Sequence, residues 1–111
     1  MTDRTNNLVR GTLDLVVLRT LRQGPMHGFA IARWIRDGSE DVVRFEDAAL
    51  YQSLHRMQRQ GLVTSTWGRS ENNRRARFYA LTSKGERRLE DEADAFRSYA
   101  DAITRLLEMD A

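Results

Sequence analysis

The amino-acid sequence predicts a mainly helical α+β domain: three helices, a two-stranded β-hairpin and one long closing helix. Three observations carry this. Apolar residues recur at helical spacing over three stretches before residue 61, each closed by glycine. Two short runs rich in Val, Thr, Trp, Phe and Tyr then flank a polar, basic segment, the pattern of a hairpin. Finally, Leu89, Ala93, Phe96, Ala100, Ile103 and Leu107 are spaced 4, 3, 4, 3, 4, the a/d seam of a coiled coil over nearly three heptads.

The first helix is expected from Leu8 to Arg22. Val9, Leu13, Val16, Val17 and Leu21 form its apolar stripe, and Leu15 and Leu18 widen the stripe so that more than one side is buried. Gly24-Pro25 ends it, because glycine caps a helix and proline cannot continue one. A second helix follows from Gly28 to Arg36, with Phe29, Ile31, Ala32 and Ile35 able to face the core and Trp34 half covered; Asp37-Gly38-Ser39 closes it. Glu46 or Asp47 opens the third with negative charge at the positive end of the helix dipole, and Gly61 stops it. Leu50, Leu54 and Met57 make its buried edge, and Gln52, His55, Arg56 and Arg59 fall opposite. The strands are expected at Leu62 to Trp67 and Arg77 to Leu81, around a long tip from Gly68 to Ala76. Thr82 is a natural N-cap for the last helix, which runs to about Met109 and is too long to lie wholly on so small a core.

With 111 residues and 41% hydrophobic content the chain suits one small core: residues 1–81 as the globular part, 82–111 as an appended helix. A core this small gains from a second copy covering an apolar face, so a homodimer is expected. The sequence lacks cysteine, which excludes disulfides and thiolate metal sites and suits a reducing compartment. The polar, doubly charged start and a longest aliphatic run of only Leu15 to Leu18 fit neither a signal peptide nor a membrane span, so a cytoplasmic location is expected. His27 and His55 lack a second ligand at metal spacing, and neither a phosphate loop nor a nucleophile elbow is present. No enzyme, metal or cofactor is expected. For His27, at the opening of the second helix, a capping or packing role and a phosphate contact carry equal weight.

The net charge of +2 conceals a segregation. Residues 1–51 balance seven basic against seven acidic side chains, residues 52–88 carry nine against two, and residues 89–111 carry two against seven. One segment therefore suits a polyanion and another avoids it. The order helix, helix, helix, hairpin, helix is that of a winged helix, which brings the third helix and the hairpin to one surface. Both are the basic parts of the chain. Arg and Gln on such a helix can read guanine and adenine edges in the major groove of double-stranded DNA. The wing, with Arg69, Asn72, Asn73, Arg74, Arg75 and Arg77, can follow phosphates or enter the minor groove. Arg56 and Arg59 would be solubilising or ion-paired on an arbitrary helix, but base-reading is the expectation on a recognition helix. Phe78 and Tyr79 are expected to pack rather than stack on bases.

Four collinear segments carry a family resemblance: Gly11-Thr12-Leu13-Asp14-Leu15, Gly24 to Ile31, Ala49-Leu50-Tyr51-Gln52-Ser53-Leu54-His55-Arg56-Met57, and Arg74 to Gly85. Together they resemble the PadR family of bacterial transcriptional regulators, in its smaller subgroup with a single C-terminal helix. The resemblance implies a dimeric winged-helix repressor acting on a palindromic operator, with the C-terminal helix building the dimer interface through Leu89, Ala93, Phe96, Tyr99, Ala100, Ile103 and Leu107. It places Ala49, Tyr51, Gln52, His55 and Arg56 on the recognition helix, Phe29 where an aromatic approaches the DNA backbone, and the wing arginines at phosphate. The chain departs from the family where a proline is common at Gln52 and a tyrosine at Phe29; a phosphate hydrogen bond from position 29 is thereby lost and a base contact at 52 gained. Some relatives bind aromatic drugs or phenolic acids between the protomers, for which Trp34, Phe96 and Tyr99 are candidate lining, although seam aromatics more often simply pack. Two rival readings use the same scaffold without DNA: a protein-interaction module working through the seam, and a carrier of an aromatic ligand.

Overall fold

A computed structural model describes residues 12–110. Its elements in chain order are α1 (Leu13–Leu21), β1 (Met26–His27), α2 (Gly28–Gly38), α3 (Asp47–Arg59), β2 (Val63–Arg69), β3 (Arg75–Leu81) and α4 (Ser83–Leu107). The expected start of the first helix at Leu8, with Val9, lies outside the described residues, as does Gly11.

The core forms where the apolar stripes meet. Val17, Leu18 and Leu21 of α1, Ile31 and Ile35 of α2, and Leu50, Leu54 and Met57 of α3 are buried together, closed by Leu62, Val63 and Tyr79 of the hairpin and by Leu89 of α4. Leu13, Leu15 and Val16 pack against the cluster from the other flank of α1, which accounts for the breadth of that stripe. Phe29 departs from the expected core set: it stands 64% exposed on the first turn of α2, while Ile31 and Ile35 supply the buried face.

The β-sheet has three strands, in the order β1-β3-β2, rather than the two expected. Met26 pairs with Tyr79 and His27 with Phe78, so the two residues after Pro25 join the sheet before α2 begins. A two-residue strand has no periodicity to show in sequence. The hairpin is also longer than expected. Gly68 pairs with Ala76 and Arg69 with Arg75, which shortens the tip to residues 70–74. That tip is closed by the Ser70 N–H donating to the Arg74 carbonyl at 2.9 Å and the Asn73 N–H to the Ser70 carbonyl at 2.8 Å. Asn73 takes the left-handed conformation (φ 59°) that asparagine tolerates better than most side chains.

The Thr82 hydroxyl accepts from the Gly85 N–H at 3.0 Å and donates to the Gly61 carbonyl at 2.7 Å, capping α4 and tying it to the end of α3. Of the 25 residues of α4 only Gly85 and Leu89 are buried. Leu89 is 1% exposed in its own chain, so its assignment to an intermolecular seam is corrected: it is an anchor of this chain's core. Beyond it the helix leaves the domain, and the molecule extends 57 × 32 × 20 Å.

Candidate nucleic-acid interface

The exposed side of α3 carries Gln52, His55 and Arg59, with Tyr51 on the edge facing the wing and half-buried Ala49 on the opposite edge. Ala48, also exposed, lies one turn before Gln52 and keeps that face low where a groove floor would approach. Tyr51 is set by α2: its hydroxyl occupies the space that a side chain at buried Gly28 would fill. Its ring lies 6.5 Å from that of His55.

Arg56 is held differently. Its guanidinium pairs with Asp14 of α1, whose carboxylate also accepts from the Ser53 hydroxyl at 2.6 Å. That carboxylate hydrogen-bonds the guanidinium and raises its pKa still further, so Arg56 is a permanent cation whose partner is already chosen. We expect Arg56→Ala to lower stability by about 0.5–1 kcal/mol, the worth of a part-exposed ion pair, measurable by urea denaturation.

The wing is braced against α3. Gln58 Oε1 accepts from the Ser65 hydroxyl at 3.2 Å, and Ser65 Oγ accepts from Arg77 Nε at 3.0 Å. Trp67, exposed on the same sheet face, lies under two guanidinium groups, Arg75 at 4.3 Å and Arg77 at 5.0 Å from the ring centroid. The register explains the stack: Trp67 opposes Arg77 directly, and Arg75 lies two residues along the same face. Sequence reasoning missed this stack because the tip was drawn from Gly68 to Ala76, which left Arg75 outside the strand that places it beside Trp67. At the tip, Arg69 donates to the Asn73 carbonyl at 3.2 Å, while Asn72 and Arg74 are exposed.

Between α3, the start of α2 and the wing runs an open groove of about 690 Å³, lined by Phe29, Arg33, Tyr51, His55, Trp67, Asn72 and the arginines at 74, 75 and 77. Arg33 stacks on Phe29 at 5.6 Å. His27 closes the inner end: its Nδ1 accepts from the Ala30 N–H at 3.3 Å as the N-cap of α2, and its ring meets Phe78 edge-on at 5.3 Å. The geometry thus supplies the capping role through Nδ1. Its Nε2 lies 3.3 Å from Glu71 Oε1. The Glu71 backbone amide and the His27 ring hold that carboxyl below the usual range.

Away from this surface, α1 and α4 bound a second groove of about 530 Å³ lined by Leu15, Val16, Arg19, Trp34, Ala93 and Phe96 among others. Arg19 lies 5.3 Å over the Trp34 ring. Trp34 and Phe96 come together here; Tyr99 is exposed beyond it. Among the described residues no group of three or more His, Asp or Glu could hold a metal ion, and no helix is long and apolar enough to cross a membrane.

The model of the Transcriptional regulator PadR-like family matches residues 17–91, which takes in the core, the candidate recognition helix and the wing. The chain belongs to the PadR-like family. The resemblance carried by the four motifs is borne out, and with it the winged-helix fold; a family of transcriptional regulators is not an enzyme class. A PadR family transcriptional regulator from Eggerthella lenta is 28% identical, with a TM-score of 0.82 over 98% of this chain and 93% of that one. A transcriptional regulator from Clostridium thermocellum has the same fold at 22% identity, with a TM-score of 0.82 over 92% and 96% of the two chains. Bacillus subtilis PadR in complex with operator DNA is similar at 21% identity and a TM-score of 0.66, over 74% of this chain and 46% of that one. At these identities the last two speak for the fold.

Proposed function

We propose that this PadR-like protein is a cytoplasmic homodimeric repressor that binds a palindromic operator, residues 1–81 contacting DNA and 82–111 joining the protomers. The observation that carries this is the meeting of the exposed α3 face with the wing cations across one groove, while the acidic stretch from residue 89 onward lies on the projecting helix. In this reading α3 enters the major groove. Gln52, His55 and Arg59 reach base edges, Tyr51 and Ala49 border the contact, and Phe29, Arg69, Asn72, Asn73, Arg74, Arg75 and Arg77 lie along the backbone. Arg56 holds α3 on α1 and reads no base. Gln52→Ala is therefore expected to lower discrimination between operator and scrambled DNA by about 1–3 kcal/mol, whereas Arg56→Ala leaves discrimination unchanged; competition binding on the two duplexes separates them.

Dimerisation is supported by the apolar surface that α4 leaves open. Phe96, Tyr99, Ile103, Leu106 and Leu107 are exposed on a helix roughly 37 Å long, and Met109 just beyond its end. Ala93, Phe96, Tyr99, Ala100, Ile103 and Leu107 form the proposed seam, and a closed two-fold pair would set two recognition helices about 34 Å apart. Phe96→Asp is expected to halve the mass seen by light scattering without unfolding the domain. A dimer that survives it would put the interface elsewhere. The groove holding Trp34 and Phe96 is the place where a small aromatic effector would bind, and a shift in melting temperature with planar aromatic acids is its test.

A further inference from the structure

Glu71 is the one acidic residue between Leu62 and Leu81, and it is set among cations. Its Oε1 lies 3.3 Å from His27 Nε2 and its Oε2 3.8 Å from Arg33 Nη2. Because His27 Nδ1 accepts the Ala30 N–H, the neutral ring carries its proton on Nε2 and donates it to Glu71. The imidazole is fixed by the cap, by its packing on Phe78 and by burial, with 12% of its side chain exposed, whereas Glu71 is 68% exposed on a wing tip. A rigid N–H donor and a neighbouring guanidinium, at the end of a groove lined by further arginines, are the donors that a phosphodiester oxygen takes.

We propose that His27 Nε2–H and Arg33 form a phosphate subsite for the DNA backbone, and that Glu71 occupies it in the free protein as an intramolecular surrogate displaced on binding. This rests on the DNA-binding reading above. The contact holds the wing toward α2 when DNA is absent, and its exposure makes it easy to exchange. Because a phosphate is the competitor, the exchange opposes every sequence equally: it lowers non-specific retention without altering base readout.

The test is fluorescence anisotropy with the full chain on a duplex from upstream of its own gene and on a scrambled duplex, over a range of salt concentrations. Glu71→Gln is expected to tighten both complexes roughly 3- to 10-fold at low salt and to steepen the logarithmic salt dependence by about one. In an Arg33→Gln background most of that gain disappears, because the two groups act on one site. No gain, or weaker binding, from a Glu71→Gln protein with unchanged melting temperature overturns the subsite, as does an equal gain in both backgrounds. Absence of DNA binding by the wild-type chain in the same titration overturns the functional reading and the subsite with it, whereas wild-type binding with no response to Glu71→Gln overturns the subsite alone.

Discussion

Gly85→Val is expected to cost the fold on the order of 3–5 kcal/mol, a large part of the 5–15 kcal/mol that stabilises a domain of this kind. Gly85 is buried in the first turn of α4, and a Cβ there would overlap the Leu62 backbone carbonyl and approach Leu81 Cδ2 at 3.1 Å. The carbonyl is not free to retreat. The Leu62 carbonyl accepts from the Thr82 N–H at 3.1 Å and the Leu62 N–H donates to the Met57 carbonyl at 2.9 Å, so the colliding atom is pinned between the end of α3 and the cap of α4. Relief would require α4 to lift from the core and withdraw Leu89 with it. Circular dichroism melts should show a drop of at least about 12 °C, given roughly 4–8 °C per kcal/mol at this size. A melting temperature within a few degrees of wild type would mean that the helix does not pack as described.

The paired change Arg74→Ala with Arg75→Ala is expected to weaken binding to operator and scrambled duplexes alike, by about 10- to 100-fold at low salt, and to flatten the logarithmic salt dependence by about two. The argument is positional. Arg74 is exposed at the tip, and Arg75 lies over Trp67 beside the groove, so both present charge where a phosphate strand would pass. Loss of Arg75 also uncovers one side of Trp67, so the tryptophan emission of the free protein should shift. An unchanged salt slope would remove the wing from the backbone and leave α3 as the sole contact.

The helices were legible because each buries a stripe and ends at a readable stop. Leu50, Leu54 and Met57 announce the inner side of α3, and Thr82 announces the start of α4 one residue before it begins. What sequence periodicity conceals is the identity of the partner. Leu89 continues the same 4, 3 spacing as Phe96 and Ile103, yet the helix crosses from its own core to open surface between them, and one heptad phase serves both environments. Phe29 has a core composition and an outward position, because at 100° per residue it points away from the face that Gly28, Ile31 and Ile35 bury. The cation at Arg56 was plain, but its partner Asp14 is 42 residues away in the chain, and the same distance problem hid the contact of Glu71 with His27. The strand β1 escaped for a simpler reason: its two residues gain a strand's hydrogen bonds only because β3 lies alongside.

The central claim, that α3 and the wing together read a specific DNA sequence, is tested most directly by anisotropy titration of the wild-type chain on the region upstream of its own gene and on a scrambled duplex, at low and near-physiological salt. The account predicts salt-sensitive binding to both, with a preference for the native sequence that persists, on the order of a thousandfold or more, as salt rises. Equal affinity for the two duplexes at every salt concentration, or no binding to either, would contradict it.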